Sequence, residues 1–379
     1  MMCTETTIYK NIESIEEIRD VWQQLQWNPY SDYDAVIHRF TVPEPHLNPH
    51  IICIRENRKV RAIIVGHIED QRIPFQVGYK TWVGPTLRTC FFNRYGFLGR
   101  MSTSVCAALS DHIGKLLKSK EVDWARLTRF PLDSPIHRMQ VAGIPWTCRD
   151  PLKLIQESWQ LTCPSRFEHF LDAHRGLRAN LKTARRRLHK TSHGDLRIEC
   201  YRHPHEIETA LDHSQQVAEK SWQHKLGGID FFDRSFRARF RFNMEQDWGR
   251  AYLLYVQGRP VSYNHGLHYA RSYIFESVGY DRAFRREGAG KLLWMNIIER
   301  YTASGEVDFF DFGEGNSEHK SWFCDQSFKS SDRNLFAPHI RPKLLNLTRL
   351  AALGFHLLGK KLLKAGRHHA LVRSRWRHL

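Results

Sequence analysis

Along this chain the hydrophobic pattern first shows itself as strands. Residues 51–69 read IICIRENRKVRAIIVGHIE: an apolar run, a polar turn at Glu56-Asn57-Arg58-Lys59, and a second apolar run. Residues 251–269, AYLLYVQGRPVSYNHGLHY, have the same form, with the turn at Gln257-Gly258-Arg259-Pro260. Each stretch predicts a β-hairpin. Farther on, helical periodicity over 104–118 leads into EVDWARL from Glu121, and over 290–302 into EVDFFDF from Glu306. The offset is 200 residues at the hairpin and 185 at the strand, so the order of parts is kept while loop lengths differ. A tandem duplication of one α/β unit with a mixed sheet is the expected architecture. Helices are also predicted over 174–190 and 205–220, the second leading into Ser221-Trp222. After Arg341-Pro342, Leu347, Leu350, Ala351, Gly354, Leu358 and Leu362 recur at helical spacing on one face, which predicts an amphipathic C-terminal helix.

Composition narrows the class. A length of 379 residues suggests two or three domains. At 41% hydrophobic and 12% aromatic residues the chain can fill large cores, which excludes a disordered or fibrous protein. The apolar stretch 350–359 contains His356 and falls well short of the roughly 20 residues a membrane span needs. The first residues carry acids early and no apolar signal core. None of the 8 cysteines forms a CxxC pair, which argues against a zinc site and a disulfide framework, and no metal is expected. A soluble, reduced, cytoplasmic protein is the expectation. The net charge of +17 is localised. Residues 174–190 hold seven Lys/Arg and no acid, and residues 333–379 hold eleven and no acid. Together they account for the whole excess, so each segment is a candidate for phosphate, anionic lipid or an acidic partner.

Candidate chemistry centres on Arg285-Arg286-Glu287-Gly288-Ala289-Gly290, between a predicted strand (271–281) and an amphipathic helix. Strand, short basic Gly-rich loop and helix N-terminus together make an anion site, because outward N–H groups and the helix dipole favour negative charge. The spacing is not GxGxxG, which sets aside a Rossmann dinucleotide fold. Arg285-x-x-Gly288-x-Gly290 resembles the acetyl-CoA pyrophosphate loop of GNAT acyltransferases. RGLRANLKTARRRL from Arg175, EKSWQHKLGG from Glu219 and DFGEGNSEHKSWF from Asp311 resemble the CelD-type branch, associated with cellulose and exopolysaccharide biosynthesis and related to FemAB-type transferases. The first half has no such loop; Arg94-Tyr95-Gly96-Phe97-Leu98-Gly99 is the nearest approach, with the wrong glycine spacing. The resemblance implies a degenerate GNAT-like domain over 1–164, a GNAT acyltransferase domain over 165–336, and a basic helical tail over 337–379.

It further implies acetyl-CoA or another acyl-CoA as co-substrate, bound by Arg285, Arg286, Gly288, Ala289 and Gly290. The expected acceptor is the amine of a sugar, amino acid or envelope precursor. Amine attack on a thioester needs a neutral amine, a polarised carbonyl and correct positioning. Glu276, in step with Ile274, Val278 and Tyr280, could accept the amine proton or be a paired core carboxylate. His319 could titrate near neutrality as acid or base, and Lys320 could stabilise charge developing on the thioester oxygen. Many GNATs place a Tyr acid where this chain has Phe323, and the branch usually shows Tyr-Lys where His319-Lys320 stands. Arg178, Asn180, Trp222 and Asp311 are the candidate substrate contacts, with Arg185 and Arg186 on the same basic helix as Arg178. No Cys or Ser sits in a nucleophile motif, so direct transfer is expected. Two alternatives stand beside this reading, an aminoacyl-tRNA-dependent FemAB-like transferase and an inactive scaffold of a polysaccharide synthase. The tail could meet an anionic membrane at its inner face, RNA or an acidic carrier protein, or cap the fold.

Overall fold

The computed structural model describes residues 4–42, 44, 46–77, 80–152, 154–221, 230–231, 233–315, 318–321 and 323–365. In chain order the main elements are β1 (Thr4–Tyr9), α1 (Arg19–Leu25), α2 (Tyr33–Thr41), β2 (Asn48–Glu56), β3 (Lys59–Val77), β4 (Lys80–Gly99), α3 (Thr103–Lys118) and β5 (Trp124–Pro131). There follow β6 (Ile155–Thr162), α4 (Phe167–Ala173), α5 (Arg175–Thr191), β7 (Leu196–Tyr201), α6 (Ile207–Lys220) and α7 (Arg234–Glu245). The chain continues with β8 (Gly249–Val256), β9 (Arg259–Tyr269), β10 (Ser272–Tyr280), α8 (Ala289–Ser304) and β11 (Phe309–Glu314), and ends with β12 (Gln326–Phe336) and α9 (Ile340–Ala365).

The chain divides into two compact units, one of residues 1–40, 45–155 and 330–379, the other of 41–44 and 156–329. In the first unit the strands run β1-β2-β3-β4-β5-β12, in the second β7-β8-β9-β10-β11-β6. Every neighbour is antiparallel except one in each, β4–β5 and β10–β11. Both predicted hairpins form, and they match in detail. Asn57 and Arg58 have φ of 49° and 65°, Gln257 and Gly258 of 52° and 70°, so both close on two left-handed residues. That turn carries the twist of the flanking strands. Each hairpin then breaks register at the same place, between Ile54 and Arg55 and between Leu254 and Tyr255. The tandem duplication of one α/β unit expected from the repeated pattern is present.

Period-two side-chain alternation puts each strand's residues into two cores. In the first unit Ile52 and Ile54 face Val105, Leu109 and Ile113 of α3, whereas Ile51 and Cys53 face Trp22 and Tyr33 on the α1–α2 side. In the second, Tyr252 and Leu254 meet Leu181 and Leu188 of α5 and Leu292 of α8; Leu253 and Tyr255 meet Leu211 of α6 and Phe240 of α7. Covered on both faces, these strands read as unbroken apolar runs, and each fully buried Leu or Ile contributes about 1.5–3 kcal/mol.

The units part company with the expected limits of 1–164 and 165–336. β6 pairs with β11, so the second unit begins at Gln156, and from Ser330 onward β12 pairs with β5 of the first. The tail expected at 337–379 is helical in α9 and belongs to the first unit. Polar contacts hold its docked face. Asn346 donates to the carbonyls of Thr147 (2.9 Å) and Arg149 (3.0 Å), and Arg349 pairs with buried Asp150 at 3.0 Å. Of the residues expected on one face, Ala351 and Leu358 are exposed. The seven described cysteines are free thiols, and no helix of the described residues is long and apolar enough to cross a membrane.

Candidate active site

The Arg285–Gly290 motif forms the entry to α8. Asp281, buried at the end of β10, caps the turn after it by accepting from Ala283 N (2.9 Å), and it pairs with Arg259 at 2.5 Å. The chain then reaches Gly288, the N-cap of α8, with φ 78°. A side chain there would be strained by the backbone, and its Cβ would stand 3.1 Å from that of Ala184. At Gly290 a Cβ would come 3.1 Å from Tyr280 Cδ1. Glycine at Gly288 carries no capping side chain, and no acid stands in the first turn of α8. Helix geometry therefore leaves the N–H groups of Ala289 and Gly290 without an intrahelical acceptor. Arg282, Arg285 and Arg286 are exposed beside them and form no ion pair among the described residues. Glu287, the loop's one acid, buries Oε2 without a hydrogen-bond partner among the described residues. Lys291, in the first turn, has its pKa pushed down by burial.

The equivalent helix of the first unit is closed. Ser102 caps α3 by accepting from Val105 N at 3.2 Å, and Ser104 donates to Glu56, itself paired with Arg61 at 3.2 Å. Residues 94–99, the nearest approach to the motif in that half, lie inside β4 rather than in a loop.

Beside the loop, β10 and β11 separate. Their parallel pairing covers Ser272, Tyr273 and Ile274 against Phe309, Phe310 and Asp311 and goes no farther, although β10 runs on to Tyr280. At that level β10 also slips against β9, between Phe275 and Ser277, so Glu276 occupies a bulge with its side chain exposed. The bulge breaks the alternation that had aligned Glu276 with Ile274 and Val278.

At the end of β11, Asp311 is buried and accepts from Gly313 N (2.7 Å) and from Gln160 (3.4 Å). Gly313 and Gly315 have φ of 63° and 132°, which lets the chain turn sharply there. Lys320, on the short helix Glu318–Ser321, donates to the carbonyls of Phe312 (2.6 Å) and Glu314 (3.3 Å). Burial pushes its pKa down, against the pull of Cys324, Asp311 and Glu314. Two of its three donors thus hold the end of β11. His319 lies on that helix, but its side chain is outside the described residues, as is Trp222. Phe323 is buried against Phe312 at 5.1 Å between ring centroids and is a core residue.

On α5, Leu177, Leu181, Ala184 and Leu188 form the buried stripe and the basic residues cover the rest. Arg187 was not singled out by the sequence, yet it is the residue that reaches the loop, donating to Arg286 O at 2.7 Å. Its signal was positional, three residues after the Ala184 that packs on Gly288. Arg178, paired with Asp172, lies nine residues earlier, roughly 14 Å along the helix, and exposed Asn180 roughly 10 Å. The structure does not bring these two to the loop. Arg185 pairs with Glu299 of α8 at 2.6 Å.

Residues 175–321 match the family model described as the acetyltransferase (GNAT) domain. The unit that carries the open helix entry is therefore an acyltransferase domain, and this fold generally uses an acyl-CoA co-substrate. Among solved structures, FemX is similar at a TM-score of 0.56 and 10% identity, covering 86% of this chain and 99% of that one. A tandem GNAT protein from the clavulanic acid biosynthesis pathway is similar at 0.51 and 12%, covering 89% and 100%. L-PGS from Bacillus licheniformis is similar at 0.51 and 11%, covering 90% and 97%. At these identities the likeness is one of fold. No curated protein matches the chain.

Proposed function

We propose that this protein is an acyl-CoA-dependent N-acyltransferase, transferring most simply an acetyl group to an amine of a sugar, amino acid or envelope precursor. The observation that carries the reading is the entry to α8: an uncapped N-terminus behind a left-handed glycine, flanked by Arg282, Arg285 and Arg286, which have no acidic partner among the described residues. A diphosphate fits that need for negative charge. When bound, the co-substrate supplies an activated thioester carbonyl. The chain's own residues do the rest. Arg285 and Arg286 with the Ala289 and Gly290 amides hold the diphosphate, and β10 beyond Ile274, where its pairing with β11 ends, lies alongside an extended ligand. Glu276, exposed on its bulge, takes the proton from the amine directly or through water. Lys320 positions the end of β11, where Asp311 lies, and keeps one donor for a developing oxyanion.

The three segments RGLRANLKTARRRL, EKSWQHKLGG and DFGEGNSEHKSWF support a place in the CelD-type, exopolysaccharide-associated branch. An envelope precursor as acceptor would have the enzyme work in the cytoplasm at the inner face of the membrane. Calorimetry with acetyl-CoA tests the core of the proposal. Micromolar binding, about −8 kcal/mol, should be lost in Arg285→Glu. Silence from both proteins would overturn it.

A second reading is an aminoacyl-tRNA-dependent transferase, favoured by Arg175, Lys182, Arg186 and Lys190, which are exposed on α5 and form no ion pair among the described residues. Aminoacyl-tRNA binding that falls steeply with salt, together with no acetyl-CoA binding, would select it. Turnover that disappears in Glu276→Gln/Lys320→Ala would set aside an inactive scaffold.

A further inference from the structure

The helix α9 has two faces with opposite fates. One docks: Pro342, Asn346 and Leu353 are buried, and Arg349 reaches Asp150. On the other, Ile340, Leu344, Ala351, Phe355 and Leu358 recur at intervals of three, four and seven, the spacing of a single helical stripe. That stripe is open, with Ile340 80%, Leu344 57%, Phe355 69% and Leu358 55% exposed. Trp146 is 74% exposed on the turn whose next residue, Thr147, accepts from Asn346 of the same helix. Four large aliphatic or aromatic side chains in a row facing water are not needed to hold the helix, because its docking uses the opposite side.

The charge of this part of the sequence is of one sign. Between Arg341 and Leu379 the sequence has ten Lys/Arg and no acid, seven of them at or after Lys360, and of the ten Arg349 is taken by Asp150. We propose that α9 is a membrane-docking helix that lies in the plane of an anionic phospholipid surface, with Ile340, Leu344, Phe355, Leu358 and Trp146 inserted among the acyl chains and the basic residues among the headgroups. Each rival occupant conflicts with one half of this pattern. A nucleic acid would use the charge, but the apolar side chains of the stripe offer it no hydrogen bond, and only the rings of Phe355 and Trp146 are there for stacking. A second copy would use the stripe, but self-pairing would press two acid-free basic segments together. An anionic bilayer uses both. Docked on its inner face, the helix lies along a surface rather than across it.

The proposal is independent of acyl transfer, since attachment to lipid is measured without turnover. The full chain is floated with vesicles of phosphatidylcholine alone and of phosphatidylcholine mixed with phosphatidylglycerol, at low and high salt, with tRNA binding and sedimentation mass measured in parallel. The mixed vesicles should retain the protein, the neutral ones much less, and high salt should release part of it. Leu344→Asp/Phe355→Asp should weaken retention at least about tenfold. Both positions are exposed, so the helix content of that variant should equal the wild type's. The proposal is overturned by equal retention of wild type and variant, or by equal retention on both kinds of vesicle. It is also overturned by a wild type that ignores vesicles, whether it binds tRNA or forms a dimer that the variant loses.

Discussion

Gly288 is where a single atom decides most. Its φ of 78° and the 3.1 Å separation of an added Cβ from Ala184 oppose any side chain. Gly288→Ala should cost about 1–2 kcal/mol of stability in urea titration and weaken acetyl-CoA binding together with it. Arg187 should behave differently. Its side chain is exposed and its one described bond is to Arg286 O, so Arg187→Ala should leave the urea midpoint unchanged while acetyl-CoA affinity drops about five- to tenfold. Arg187→Lys, which keeps a donor on a shorter arm, should recover part of the loss. A purely structural arginine would move the midpoint instead. The loop itself was legible, because Gly and Arg at that spacing between a strand and a helix have few other uses. Its supports were not. Arg187, and Lys320 as a tie between Phe312 and Glu314, depend on contacts made only after distant segments meet.

Between elements, two contacts govern stability. β2 meets α3 through His50 and His112, whose Nε2 atoms lie 2.8 Å apart, next to the Lys10–Glu121 pair. Such a hydrogen bond needs one nitrogen to accept, so at least one ring must be neutral. Burial pushes both pKa values down to about 4, from an ordinary 6.5. His265, buried among Phe231, Phe240 and Tyr263, is pushed down to about 3. The unfolded chain therefore binds more protons than the folded one as pH falls below 6.5. Stability should be full above that value and fall toward pH 4 by about 1.4 kcal/mol per pH unit for each proton involved. Urea midpoints across this range should decline less steeply in His50→Gln/His112→Gln. The second contact is Arg349–Asp150, which docks α9. Arg349→Met should cost about 3–5 kcal/mol by stranding a buried carboxylate, and Asp150→Asn should restore part of it, so melting the single and double variants reads the coupling. Periodicity announced that α9 was a helix. It did not show which face docks, because an ion pair and an asparagine hold the helix and their partners lie far away in the sequence.

For the molecule as a whole, the repeated strand order and the twin hairpin turns set two units of one design side by side in sequence, with different use made of them. In one, the helix entry is occupied by the chain's own Ser102, with Ser104 and Glu56 bonded beside it; in the other it is left open at Gly288. Calorimetry should accordingly give one acetyl-CoA per chain, and two would show that the Ser102 cap does not close the first unit. The duplication could be read from the sequence because order and local pattern agreed. The limits of the units could not, since β6 and β12 take their places by long-range pairing that no local pattern records. That pairing bears on synthesis. The unit that leaves the ribosome first lacks its sixth strand until residues 330–336 emerge, with nearly the whole second unit made in between. Until then β5 offers an unpaired edge to any neighbouring chain. The half that is translated first is thus completed last, and its yield in the cell should depend on chaperones that shield that edge during the wait.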